Sequence, residues 1–156
     1  MGWLYELTHN VVLMSGCSAW VVAQVIKFFI HAAIYKTFRM ERLFGDGGMP
    51  SAHSATVTSM AVATAITEGV GTFQFAIAAM LAIIVMHDAM GVRRETGKQS
   101  VVLNEIIEMF NSMQIDGNWS DEKLKEFVGH TPLQVAAGFI VGAIVGCVMG
   151  FVVFAA

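Results

Sequence analysis

Gly47-Gly48-Met49-Pro50-Ser51-Ala52-His53-Ser54-Ala55-Thr56 is the stretch from which the rest of the chain is read. Two glycines release the backbone, and Pro50 then stands where the first residue of a helix would. Ser51, His53 and Ser54 consequently fall in an opening helical turn. Backbone N–H groups in such a turn lack partners within the helix, and the macrodipole adds partial positive charge. A phosphate would be well held there, with His53 in place to pass a proton. The plainer alternative is a Gly-Pro turn entering a membrane helix, with a histidine at the water interface. From this turn to about Glu68 the chain is rich in Ala, Thr, Val and Met. Small residues of this kind suit close helix packing in a bilayer.

Composition supports a membrane setting. Hydrophobic residues make up 56% of the 156 and charged ones only 13%, where a soluble domain carries about 25% charged. The expectation is one integral membrane domain over 1–156, all-α, a polytopic bundle of about four transmembrane helices plus an amphipathic interfacial helix. The spans are placed at about 11–35, 50–68, 73–90 and 131–155, and the amphipathic insert at about 98–128. The first span can cross about 30 Å of hydrocarbon. It carries Gln24, Lys27 and His31 at spacing i, i+3, i+7, one helix face, which should point into the protein. Lys27 and His31 snorkelling to the interface is the alternative. In the insert, Val102, Leu103, Ile106, Ile107, Phe110 and Met113 recur at helical spacing opposite Asn104, Glu105, Glu108 and Asn111. Gly138, Gly142, Gly146 and Gly150 give the last span a small-residue packing face. Cys17 and Cys147 lie in apolar runs and make no disulfide framework, and no cleavable signal is evident.

Charge orients the bundle. Eight of the nine basic residues (Lys36, Arg39, Arg42, Arg93, Arg94, Lys98, Lys123 and Lys125) fall in the 36–49 and 87–131 connections. The positive-inside rule makes that side cytoplasmic and puts both termini opposite. His53, His87, Asp88, Arg93, Arg94 and His130 then share one membrane surface. Histidines at two helix starts beside arginines and a carboxylate suit phosphoryl transfer, since arginine forks onto phosphate oxygens and histidine serves as nucleophile or proton carrier. Topology alone also accounts for basic loops, and Asp88 beside Arg93-Arg94 also reads as a structural ion pair.

The run through Pro50-Ser51-Ala52-His53-Ser54 resembles the Pro-Ser-x-His-Ser motif of the type 2 phosphatidic acid phosphatase superfamily, which includes the vanadium haloperoxidases. The chain is most similar to its divergent membrane branch. The likeness takes in Gln24 and Lys27, Arg42-Leu43-Phe44-Gly45, the block around His53, Asp88 through Arg94, Gly97-Lys98-Gln99, Leu103-Asn104 and Gly129 through Val135. The resemblance implies that His53 protonates the leaving group and His130 attacks phosphorus. The aspartate four residues past the nucleophile is here Gln134, with Asp88 a candidate substitute. Lys27, Arg42, Gly48, Ser51, Ser54, Arg93 and Arg94 are the implied phosphate-binding residues, and neither a metal nor another cofactor is implied.

Two functions fit these features. One is a phosphatase acting on a phospholipid or polyprenyl phosphate at the cytoplasmic face, through a phosphohistidine. The other is a non-catalytic membrane protein that binds a lipid phosphate for transport or assembly. The expected setting is a bacterial inner membrane or a bacterially derived organelle, with homo-oligomerisation possible through the glycine face. Nucleic acid is excluded as a partner, because the basic residues form a membrane-side band without interleaved aromatics. A P-loop and zinc-type Cys/His spacing are absent.

Overall fold

The computed structural model describes residues 2–36, 48–113, 123–126 and 129–153. Regular structure among them is entirely helical: α1 Gly2–Thr8, α2 Val11–Tyr35, α3 Ala52–Thr67, α4 Phe73–Met90, α5 Val92–Ser112 and α6 Pro132–Val148, followed by a π-helical turn Met149–Val153. This is a helical membrane bundle. Among the described residues, three stretches are long and apolar enough to cross a membrane: Val11–Ile34, Phe73–Ser112 and Pro132–Val152. The expected fourth, α3, has 16 residues, about 24 Å, and packs against α2, α4 and α6 as the central helix.

Small residues explain how α3 is enclosed. Ser51, Ala55, Ser59 and Ala63, every fourth position, are all fully buried. On one side they face the α6 glycines: a Cβ on Gly138 would overlap the Ser51 carbonyl oxygen, one on Gly142 that of Ala55, and one on Gly146 would lie 2.8 Å from that of Ser59. On the other side, α2 presents its own fourfold row, Ser15, Ala19, Ala23 and Lys27, each buried. Ser15 and Ser59 exchange reciprocal bonds, each hydroxyl donating to the other's carbonyl at 3.3 and 3.1 Å. In hydrocarbon, where no water drives helices together, such close backbone approach and interhelical bonding hold the bundle. Phe73, Ile77 and Ile84 of α4, and Ile140 and Ile144 of α6, point outward where lipid belongs. The glycine face of α6 is therefore filled by α3.

Registers fix the directions. Contacts pair 51 with 138 and 55 with 142, so α3 and α6 run parallel. Ser15 meets Ser59 and Lys27 meets Gly48, so α2 runs against α3. Gly69, at φ +93°, and Thr72, whose hydroxyl caps Phe75 N–H, turn the chain from α3 into α4. The end of α2, the start of α3, the end of α4 and the start of α6 thus gather at one end.

Three boundaries differ from expectation. Helix α3 begins at Ala52, because Ser51, not Pro50, closes its start by accepting from Ser54 N–H. The amphipathic helix begins at Val92, six residues earlier than Lys98, since only Gly91 interrupts the helix from α4. Lys123–Glu126 is not helical, and the remainder of the 114–128 part of the insert, at 114–122 and 127–128, lies outside the described residues.

Candidate active site

Helix α6 opens with a capping box. Thr131 Oγ1 accepts from Gln134 N–H at 3.4 Å, and the Gln134 side-chain oxygen accepts from Thr131 N–H at 3.0 Å. The residue just before, His130, donates its backbone N–H to the Ala89 carbonyl at 2.9 Å. Gly129 allows that approach: it sits at φ +89°, and a Cβ there would overlap the Arg94 backbone nitrogen. The start of α6 is thereby keyed into the α4–α5 junction.

The His130 ring is 4% exposed, and its Nδ1 lies 3.3 Å from the Gln134 side-chain oxygen. Thr131 N–H can only donate, so the atom it meets is the amide oxygen, and Nδ1 must carry the proton. In the neutral form of the ring the lone pair then falls on Nε2. His53, in the first turn of α3, lies beside it with ring centroids 5.9 Å apart and planes at 60°. His53 is exposed where His130 is buried.

A cleft of about 230 Å³ opens beside His130, with Gly48, Arg94, Lys98, Glu126 and Gln134 also in its wall; His53 reaches it only through its ring contact with His130. Arg94 and Lys98 share a face of α5 at i, i+4 spacing. Lys98 also meets Glu95 at 2.7 Å. Gly48, at φ +81°, rests on the Lys27 stem, where a Cβ would be 3.3 Å from Cγ. Lys27 is 8% exposed.

The structure thus gathers His53, His130, Gly48, Lys27 and Arg94. Ser51 is fully buried and uses its hydroxyl to cap Ser54 N–H at 3.3 Å. Ser54 is also fully buried, against α6 at Gly138, and its hydroxyl has no hydrogen-bond partner among the described residues. Arg93 Nε donates to Asp88 Oδ2 at 2.7 Å on the surface. Arg42 lies outside the described residues, as do Arg39 and the segment Leu43–Gly45. Lys98 and Glu126 are additions to the expected site. Lys98 is legible as the residue one turn past Arg94 once α5 starts at Val92. Glu126 comes from a non-helical segment and leaves no periodic signal.

Further out, Asn104 holds that segment: its Nδ2 donates to the Leu124 carbonyl at 3.0 Å and to Glu126 Oε1 at 2.9 Å, and its Oδ1 accepts Leu124 N–H at 3.0 Å. Lys123 and Glu108 pair at 2.6 Å. The hydrogen bond to Glu108 raises the Lys123 ammonium above its usual range.

A family profile described as "Divergent PAP2 family" matches residues 8–145. The chain is similar to the uncharacterized membrane protein YuiD of Bacillus subtilis (strain 168), at 34% identity over 154 residues, 94% of this chain and 98% of that one. No solved structure matches.

Proposed function

The chain belongs to the divergent PAP2 family, and from that premise we propose that it is a metal-independent lipid-phosphate phosphatase working at the cytoplasmic membrane face. The observation that carries the reading is the pair of imidazoles 5.9 Å apart, one of which, His130, lines a cleft together with Arg94 and Lys98. His130 Nε2 attacks phosphorus in line as the ester P–O bond breaks, giving a phosphohistidine. His53 delivers a proton to the departing alkoxide, then takes one from the water that cleaves the N–P bond. Arg94 and Lys98 hold the phosphoryl oxygens. The N–H groups of Ala52 and His53, which precede the first intrahelical bond of α3, are further donors for the developing charge in this reading. Lys27 adds positive charge from beneath Gly48. Ser51 and Ser54 serve by shaping that helix start, and Asp88 by steering Arg93. Arg42 is assigned to the same phosphate.

Gln134 favours the second reading, a lipid-phosphate binder for transport or assembly, because an amide orients His130 without supplying the negative charge that steadies an imidazolium. Phosphate release in liposomes separates the two. Native protein should release phosphate from a lipid phosphomonoester, sensitive to vanadate, and His130→Ala and His53→Ala should each lose about 10²-fold or more. Binding of lipid phosphate with no release by any of the three would overturn catalysis.

A further inference from the structure

Glu126 is an unexpected residue in a phosphate cleft. Its carboxylate stands in the same wall as Arg94, Lys98 and His130, and a negative charge there opposes a phosphate dianion. Its position is built. Asn104, 6% exposed, holds Leu124 by both backbone groups and then donates to Glu126 Oε1 at 2.9 Å. A buried amide that grips an exposed segment in this way fixes where the carboxylate points, and Asn104 engages only one of its two oxygens. A fixed acceptor, beside cations that take the phosphate, complements a ligand that has a donor close to its phosphate group.

We propose that Glu126, oriented by Asn104, is a specificity-determining residue that selects lipid phosphomonoesters whose leaving alcohol carries a free hydroxyl next to the ester. The inference rests on the reading of the cleft as a lipid-phosphate site and deepens it. A glycerol-type headgroup phosphate has such a hydroxyl: with the phosphate on Arg94 and Lys98, the neighbouring O–H donates to the free carboxylate oxygen. Phosphatidate and polyprenyl phosphates lack it, and for them Glu126 offers only repulsion. Discrimination then has an attractive and a repulsive component.

The test compares phosphatidylglycerophosphate with phosphatidate in otherwise identical vesicles, in native protein and Glu126→Gln. Binding is read in a His130→Ala background so that nothing turns over, and phosphate release with His130 present. Binding should favour the hydroxyl-bearing lipid by about tenfold or more. Glu126→Gln should bring that ratio below about threefold by weakening the hydroxyl-bearing lipid and tightening phosphatidate. The phosphatidate gain matters, because damage to the cleft would weaken both lipids. In turnover the change should sit in KM rather than kcat. Dissolved glycerol 3-phosphate should compete far more weakly than the lipid; equal competition would overturn the lipid assignment. Equal binding of both lipids with Glu126 in place, or an unchanged ratio in Glu126→Gln, would overturn the role of Glu126 even if phosphate is released. A Glu126-dependent binding preference without release would uphold it and overturn catalysis instead.

Discussion

At the scale of single residues, the proposed chemistry turns on Gln134. Its side-chain oxygen is shared between Thr131 N–H and His130 Nδ1, so one amide both caps a helix and sets a tautomer. Gln134→Ala frees the ring to rotate and to protonate at either nitrogen. Turnover should fall about 10²-fold with lipid binding little changed. Gln134→Glu keeps both acceptor contacts and adds charge. A negative neighbour favours imidazolium, so the nucleophile deprotonates at higher pH and the acid limb of the pH–rate profile should move upward. A purely structural Gln134 would leave that limb in place. His53 and His130 are legible in the sequence because each sits at a helix start beside Gly and Pro. Gln134 is legible as a departure from an expected aspartate, but its double duty is not, because it depends on the capping geometry. Asp88, a candidate on sequence grounds to stand behind His130, meets the Arg93 side chain in the structure.

Helices of this bundle approach through matched rows of small residues, and single methyl groups test that. Gly142 packs with its Cα hydrogens against the backbone of Ala55, where a Cβ would overlap a carbonyl oxygen. Gly16 faces the flexible end of Met60, with a Cβ 2.8 Å from Cγ. Gly142→Ala should therefore cost about 1–3 kcal/mol by overpacking, lowering the thermal midpoint in detergent. Gly16→Ala should change it little, since a methionine can swing aside. Equal effects would contradict the packing described. The α6 glycine row is plain in the sequence. Its partner row, Ser51, Ala55, Ser59 and Ala63, is visible there only as a general richness in small residues, and the row on α2 is hidden among large apolar neighbours. Helix α5 buries only a narrow small and polar strip, Gly97, Ser100 and Asn104, while Val102, Ile106 and Met109 are exposed along with the charged Glu105 and Glu108. Periodicity finds the apolar and charged faces but not this strip between them, because its residues are neither strongly apolar nor charged.

Across the whole molecule, one end of the bundle collects the described residues of the proposed site. The antiparallel α2–α3 pair, the parallel α3–α6 pair and the tight turn into α4 bring Lys27, His53, Ala89 and His130 together from four helices. Among the described residues, Lys36, Arg93 and Arg94, part of the basic topological signal in the sequence, belong to that same end. Composition reveals the membrane and the number of helices packed side by side, while the short span of α3 and the extension of α4 into α5 depend on where caps and Gly91 interrupt the chain. The central claim is that His130 takes the phosphoryl group, and trapping measures it most directly. Native protein incubated briefly with a lipid phosphate labelled in its phosphorus, then quenched in alkali, should carry label on His130 that is stable to base and lost in acid, and His130→Ala should carry none. Phosphate release without a labelled histidine, or label persisting in His130→Ala, would contradict the account.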